Sequence, residues 1–117
     1  MSYLPGSLYT YQTITSTPTP QIIANRIAYV CRGSGLLSFK LPASALAGMS
    51  FKIIGKSCLW EIQQGAGQNI TFGMVTTNTG VTGGLSSTFV ADRIEIECLT
   101  ANTEYNVCDA SGNINYT

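Results

Sequence analysis

The strongest constraint in this chain is its period. Apolar residues recur at every second position rather than every third or fourth. Leu37, Phe39 and Leu41 alternate with Ser38 and Lys40. Met49, Phe51 and Ile53 open a run that ends at Gly55. Trp60, Ile62 and Gln64 share one face, and Ile70, Phe72 and Met74 mark another strand. Ile94, Ile96 and Cys98 stand against Arg93, Glu95 and Glu97, and Tyr105 and Val107 continue that inner face beyond the turn Thr100-Ala101-Asn102-Thr103. Such alternation puts one set of side chains in a core and the other in water, as in a half-buried strand.

Further strands are expected at both ends. Tyr9, Tyr11, Thr13 and Thr15 alternate with Thr10, Gln12 and Ile14, and Ile27, Tyr29 and Cys31 share a face. Leu85–Phe89 reads as a short strand and Asn113–Thr117 as a final edge strand. Gly33-Ser34-Gly35, Pro42 and Gly65-Ala66-Gly67-Gln68 punctuate the runs. Ala43–Ala47 is the one helix-prone stretch, only about one turn long. Thr17-Pro18-Thr19-Pro20 should be extended and unpaired. The expected fold is therefore all-β: a single, jelly-roll-like β-sandwich of about eight to ten short antiparallel strands. Residues 1–20 form an N-terminal extended or β arm and linker, and residues 21–117 form the sandwich domain.

The polar surface is unusual. Charged residues make up 10% of the 117 positions and the net charge is zero, where a globular chain carries about 25% charged residues. Thr, Ser, Asn, Gln and Gly supply the polarity instead. The balance gives no basic footprint for nucleic acid. The chain has no histidine, which removes the usual base of Ser-His-Asp and Cys-His enzymes and the commonest ligand of zinc, copper and iron. No metal or other cofactor is expected. The apolar runs are too short to insert in a membrane. The start, Met-Ser-Tyr-Leu-Pro-Gly, lacks the basic and apolar regions of a secretory signal, as expected of a small cytosolic product or an excised fragment behind an added Met.

Short motifs resolve into structure rather than chemistry. Gly55-Lys56-Ser57 matches the tail of a phosphate-binding loop, but Phe51–Ile54 before it reads as strand and no helix follows. Gly33-x-Gly35 and Gly65-x-Gly67 read as turns. Asn69-Ile70-Thr71 and Asn115-Tyr116-Thr117 match the glycosylation acceptor pattern by chance. Cys31, Cys58, Cys98 and Cys108 fit no metal or redox spacing and allow three disulfide pairings. In the hairpin Arg93–Leu99 with Glu104–Asp109, Cys98 and Tyr105 share a side and Cys108 faces the other way, which argues against a Cys98–Cys108 bridge. Free, mostly buried thiols are expected. Glu95 and Glu97, two apart on one strand face, could form the carboxylate pair of a small polysaccharide hydrolase, which needs a separation of about 5–10 Å across a cleft. A solvated outer face with Arg93 beside them is the favoured reading.

Two regions remain as candidates for recognition. Thr76–Gly84 is the longest irregular segment, and loops on rigid β scaffolds often carry binding. Thr76, Thr77, Asn78, Thr79 and Thr82 there could hydrogen-bond sugar hydroxyls. Tyr3, Tyr9 and Tyr11 lie in a polar stretch with little core of its own, where aromatic residues suit a subunit interface. Trp60 could stack on a sugar, but its phase with Ile62 places it inside.

The segments Ile22–Asn25, Leu36–Ser44 and Ala47–Lys56 follow one another in a characteristic order. Trp60-x-Ile62-x-Gln64-x-x-Gly67-Gln68-x-Ile70-x-Phe72-Gly73 is the most specific stretch. Gly83–Thr88, Glu95–Thr103 and Tyr105-Asn106-Val107 complete a pattern covering roughly 21–117. It resembles the C-terminal β domain of viral and phage fibre-like proteins, the tail fibres and spikes. Ser57-Cys58-Leu59 replaces that family's Gly-rich turn, Tyr105 stands where it often has Trp, and the cysteines are not a family feature. The resemblance implies a homotrimeric fibre head carried on a virion, extracellular after assembly in the host cytoplasm, and it transfers no ligand contacts. The expected function is non-enzymatic attachment to a host-surface glycan or protein, without nucleic acid or membrane insertion. A purely structural trimerisation or capping module is the alternative, and the hydrolase is the third reading.

Overall fold

The computed structural model describes residues 9–117, and the described chain is all-β. It has twelve strands: β1 Thr10–Ile14, β2 Gln21–Ile22, β3 Ile27–Cys31, β4 Leu37–Lys40, β5 Ser50–Gly55, β6 Trp60–Gln63, β7 Asn69–Phe72, β8 Val75–Thr76, β9 Gly84–Ser87, β10 Arg93–Thr100, β11 Glu104–Ser111 and β12 Ile114–Tyr116. They form a seven-stranded sheet, ordered β1-β3-β5-β10-β11-β7-β8, and a five-stranded sheet, ordered β12-β9-β6-β4-β2.

Both sheets contribute their alternating apolar faces to one core. Tyr29, Phe51, Ile53, Ile70, Ile94, Ile96 and Tyr105 come from the large sheet, and Leu37, Phe39, Trp60, Ile62 and Leu85 from the small one. Tyr29 and Phe39 meet across the layers with ring centroids 5.4 Å apart. Trp60 is wholly enclosed. Its indole N–H donates to the Asp92 carbonyl at 2.9 Å, and its backbone N–H donates to Ser87 Oγ at 2.9 Å. Both polar groups of a large core residue are thereby satisfied.

The pairing corrects the antiparallel, jelly-roll-like expectation. The sheets are mixed: β1–β3, β3–β5, β2–β4, β4–β6 and β11–β7 are parallel. The cause lies in the path. From β1 to β6 the chain changes sheet at every step, odd strands entering the large sheet and even strands the small one. A strand that returns to its sheet after a crossing therefore runs in the direction of its predecessor. The intervening strand acts as the crossover that parallel neighbours require. The β10–β11 hairpin then inserts between β5 and β7.

Other differences are local. Strands β2 and β8 have two residues each, too short to show a period. Met74 does not continue the Ile70 and Phe72 face; it sits fully exposed in the turn after Gly73, whose φ is +63°. Ala43–Ala47 forms bends rather than a helical turn. The Ala45 N–H donates to Asn102 Oδ1 at 2.8 Å and its carbonyl accepts from the Asn102 N–H at 2.9 Å, so this crossover is tied to the hairpin turn instead. Asn102 holds φ +69°, a left-handed position that Asn tolerates well.

The hairpin register places Cys98 opposite Tyr105, as expected, and a bulge between Glu95 and Ile96 leaves Cys108 outside the ladder. All four cysteines are free thiols; Cys31, Cys58 and Cys98 are buried and Cys108 is exposed. Burial, followed by the neighbouring Cys58, pushes the Cys31 thiol up to about 12.

Candidate functional site

The motif Trp60–Gly73 borders a groove on the small sheet. Beyond the end of β6 the inward alternation continues to Gln64, a polar residue in an apolar position. Its amide is buried and fully engaged. Nε2 donates to the carbonyls of Gln68, Asn78 and Gly80 at 2.7, 2.9 and 3.0 Å, and Oε1 accepts from the Thr77 hydroxyl. Gln68 is buried as well. Its Oε1 accepts from the Gly65 N–H at 2.7 Å, while Nε2 donates to the carbonyls of Pro42 and Asn102 at 2.8 and 3.1 Å. The two glutamines hold three loops together, and Gln64 in particular fixes the 77–83 loop against the core.

That loop redistributes the residues proposed for recognition. Thr77 faces inward, its hydroxyl donating to Gln64 and accepting from the Ile70 N–H at 2.9 Å; its proton is used and its side chain is buried away from any ligand. Thr76 lies on β8 beside Thr71, their hydroxyls 3.2 Å apart. Thr79 accepts weakly from Asn69 Nδ2 at 3.4 Å, and the Asn78 backbone binds Gln64 and Thr117. Only Thr82 of the set reaches a groove.

The groove has a volume of about 260 Å³ and lies on the outer side of the small sheet. Glu61, Gln63, Val81, Thr82, Ser86 and Thr117 line it around Gly83 and Gly84. Two glycines of its lining are fixed by close backbone contacts. Gly84 pairs with Gln63 across β6–β9, and a Cβ there would stand 2.5 Å from the Ile62 carbonyl oxygen. At Gly83 a Cβ would stand 1.9 Å from the Asn78 oxygen. At both positions the close main-chain approach forbids a side chain and draws the 77–83 loop and β9 tightly against their neighbours beside the groove.

Its polar groups are ordered by their own contacts. Glu61 Oε2 accepts from Ser38 Oγ at 2.7 Å and from Gln63 Nε2 at 3.0 Å. Ser86 stands directly opposite Glu61 in the β6–β9 ladder, which sets their Cβ atoms about 5 Å apart. Glu61 is the one ionisable side chain among the lining residues. The arrangement offers a carboxylate, a glutamine amide and several hydroxyls to a ligand, in a fixed geometry. The sequence reading missed Glu61, Gln63 and Ser86. The outward phase of Glu61 and Gln63 against Trp60 and Ile62, next to a Gly-Gly pair, was the available signal.

The carboxylates Glu95 and Glu97 lie elsewhere, on the outer face of the large sheet. Glu95 pairs with Lys52 on one side and Asp109 on the other, and Glu97 with Ser50 and Asn106. Tyr9 folds over this face. Its hydroxyl donates to Glu95 Oε2 and accepts from the Ser50 hydroxyl at 2.9 Å, with Lys52 Nζ 4.5 Å from its ring centre. Burial and the Glu95 hydrogen bond push the Tyr9 hydroxyl up to about 12. Tyr9 is thus engaged within its own chain, whereas Tyr11 is exposed on β1 and Tyr3 lies outside the described residues.

No protein-family model matches the chain, and no curated protein is significantly similar to it.

Proposed function

We propose that this protein is a non-enzymatic attachment head of the viral or phage fibre type, assembled as a homotrimer and binding a host-surface glycan or protein. The observation that carries the reading is the groove on the small sheet, whose rim loop is fixed by a buried glutamine and whose polar lining is ordered before any ligand arrives. Such preorganisation lowers the ordering cost of binding. The resemblance of 21–117 to fibre-tip domains supplies the context, and localisation on a virion follows from it. Adsorption of the fluorescently labelled protein to candidate host cells, with a glycan array in parallel, tests the reading. Saturable adsorption is expected; absence of binding to every surface overturns it.

A structural trimerisation module is the second reading, favoured by the edge of β1, which no other described strand pairs. In the parallel β1–β3 ladder the Thr10 N–H donates to the Arg26 carbonyl and the Ile14 carbonyl accepts from the Arg32 N–H. The even-numbered residues of β1 thus face β3, and the main-chain groups of Tyr11 and Thr13 face outward. Within β1 itself, no charge, proline or bulge protects this edge. It is the interface we assign to assembly. Retained trimerisation with no adsorption favours the structural reading over attachment.

A further inference from the structure

We infer that the groove at Gly83-Gly84 holds one neutral pyranose ring and reads two neighbouring hydroxyls with Glu61 and Ser86. The inference rests on the attachment reading and gives it a ligand class. Glu61 Oε2 is taken by Ser38 and Gln63, which leaves Oε1 to accept from a ligand without rearrangement of the side chain. Gln63 donates through Nε2 to Glu61, so its amide oxygen is also left as an acceptor. Ser86, opposite Glu61, adds a hydroxyl that can donate or accept. A lining rich in acceptors selects a ligand rich in O–H donors, and a vicinal diol supplies two side by side. A hydroxyl donating to a carboxylate makes one of the stronger hydrogen bonds. Val81, largely exposed at the rim, offers an apolar contact to the C–H side of the ring.

The charge narrows the class further. Because Glu61 is the ionisable side chain of the lining, a uronate, sialate or sulfated sugar would bring a further negative charge against it. A neutral hexose brings none. The groove beside Gly84 is lined by side chains on several sides and suits a compact ring rather than an extended peptide.

The test is an NMR titration of the full chain with methyl α-mannopyranoside, methyl β-galactopyranoside and methyl α-glucopyranoside, alongside binding to immobilised mannan, galactan, dextran and polysialic acid. At least one neutral glycoside should shift the amide signals of Glu61, Gln63, Gly84 and Ser86, and the matching neutral polysaccharide should retain the protein. Glu61→Gln should weaken binding about tenfold, the loss of one charge-assisted hydrogen bond. Thr82→Arg, a change at an exposed rim position, should block the groove with the fold intact. Neutral-glycan binding unaffected by both variants, or shifts confined to another surface, overturns the inference. Host-cell adsorption that survives both variants, or binding to polysialic acid alone, overturns it too and leaves the attachment reading standing. Absence of adsorption to any surface overturns both.

Discussion

At the residue scale, a few buried polar side chains organise the loops. Gln64 is the clearest case: its removal deprives the Thr77 hydroxyl of the acceptor for its proton and the Asn78 carbonyl of its donor, while the Gln68 and Gly80 carbonyls keep only the N–H groups of Gly80 and Gly83. Gln64→Ala should cost about 3 kcal/mol through these stranded groups, a fall in Tm of roughly 10 °C for a domain of this size. Thermal unfolding followed by circular dichroism measures it. Asp92 plays the same part at the other end of the sandwich. Burial alone would raise its carboxyl, but the N–H groups of Thr88, Phe89 and Asn113 and the Thr88 hydroxyl outweigh burial and hold it below the usual carboxylate range. A carboxyl lowered on folding contributes stability above its unfolded pKa of about 3.9 and loses it as pH falls through that value toward the folded one. Wild-type stability should therefore fall below about pH 4, while Asp92→Asn should be about 2 kcal/mol less stable at pH 7 and show a shallower acid decline. Urea denaturation across pH reads both.

Cysteine reactivity is also a residue-scale property. Partial desolvation of its sulfur against the sheet, and then the carboxylates of Glu95, Glu97 and Asp109, push the Cys108 thiol up to about 11. It is the exposed thiol of the four. Native protein should therefore react with iodoacetamide at Cys108 first. The rate should climb about tenfold per pH unit up to that pKa, because the thiolate is the nucleophile. Mass spectrometry of the alkylated peptides locates the label. Rapid native labelling of Cys31 or Cys58 would contradict their burial.

At the scale of elements, the strands were legible and their partners were not. Alternation around Phe39, Phe51, Ile62 and Ile96 shows which side chains face the core, because a period of two is a property of each strand alone. It says nothing about direction. The antiparallel expectation held for β10–β11, joined by the short turn through Asn102, and failed for β1–β3–β5, joined through strands of the opposite sheet. The candidate site was half legible for a related reason. Loop composition pointed to Thr76–Thr82, but Thr77 was claimed by Gln64 from another segment, and the partners of Thr82 in the groove come from β6 and β9. Such a site is assembled by sheet order, which local sequence does not carry. The edge strand yields a prediction of its own. Thr13→Pro removes an outward N–H that β3 does not use, and edge strands tolerate proline. The variant should keep the wild-type circular dichroism spectrum and lose assembly; an unchanged oligomer would place the interface elsewhere.

At the scale of the whole molecule, the low charge gains a structural meaning. Few charged side chains occur overall, those of the large sheet gather around Glu95 and Glu97, and among the described residues β1 offers an uncharged edge. A surface of this kind suits contact with other copies and with neutral ligands better than it suits steering toward charged partners. Attachment as proposed draws on both: several copies of a weak groove gain avidity when held on one axis. The central claim is therefore that the protein acts as an assembled head, and the mass of the full chain in solution tests it most directly. Light scattering at micromolar concentration should return three times the chain mass of 12.5 kDa. A monodisperse particle of 12.5 kDa under the same conditions would contradict the account.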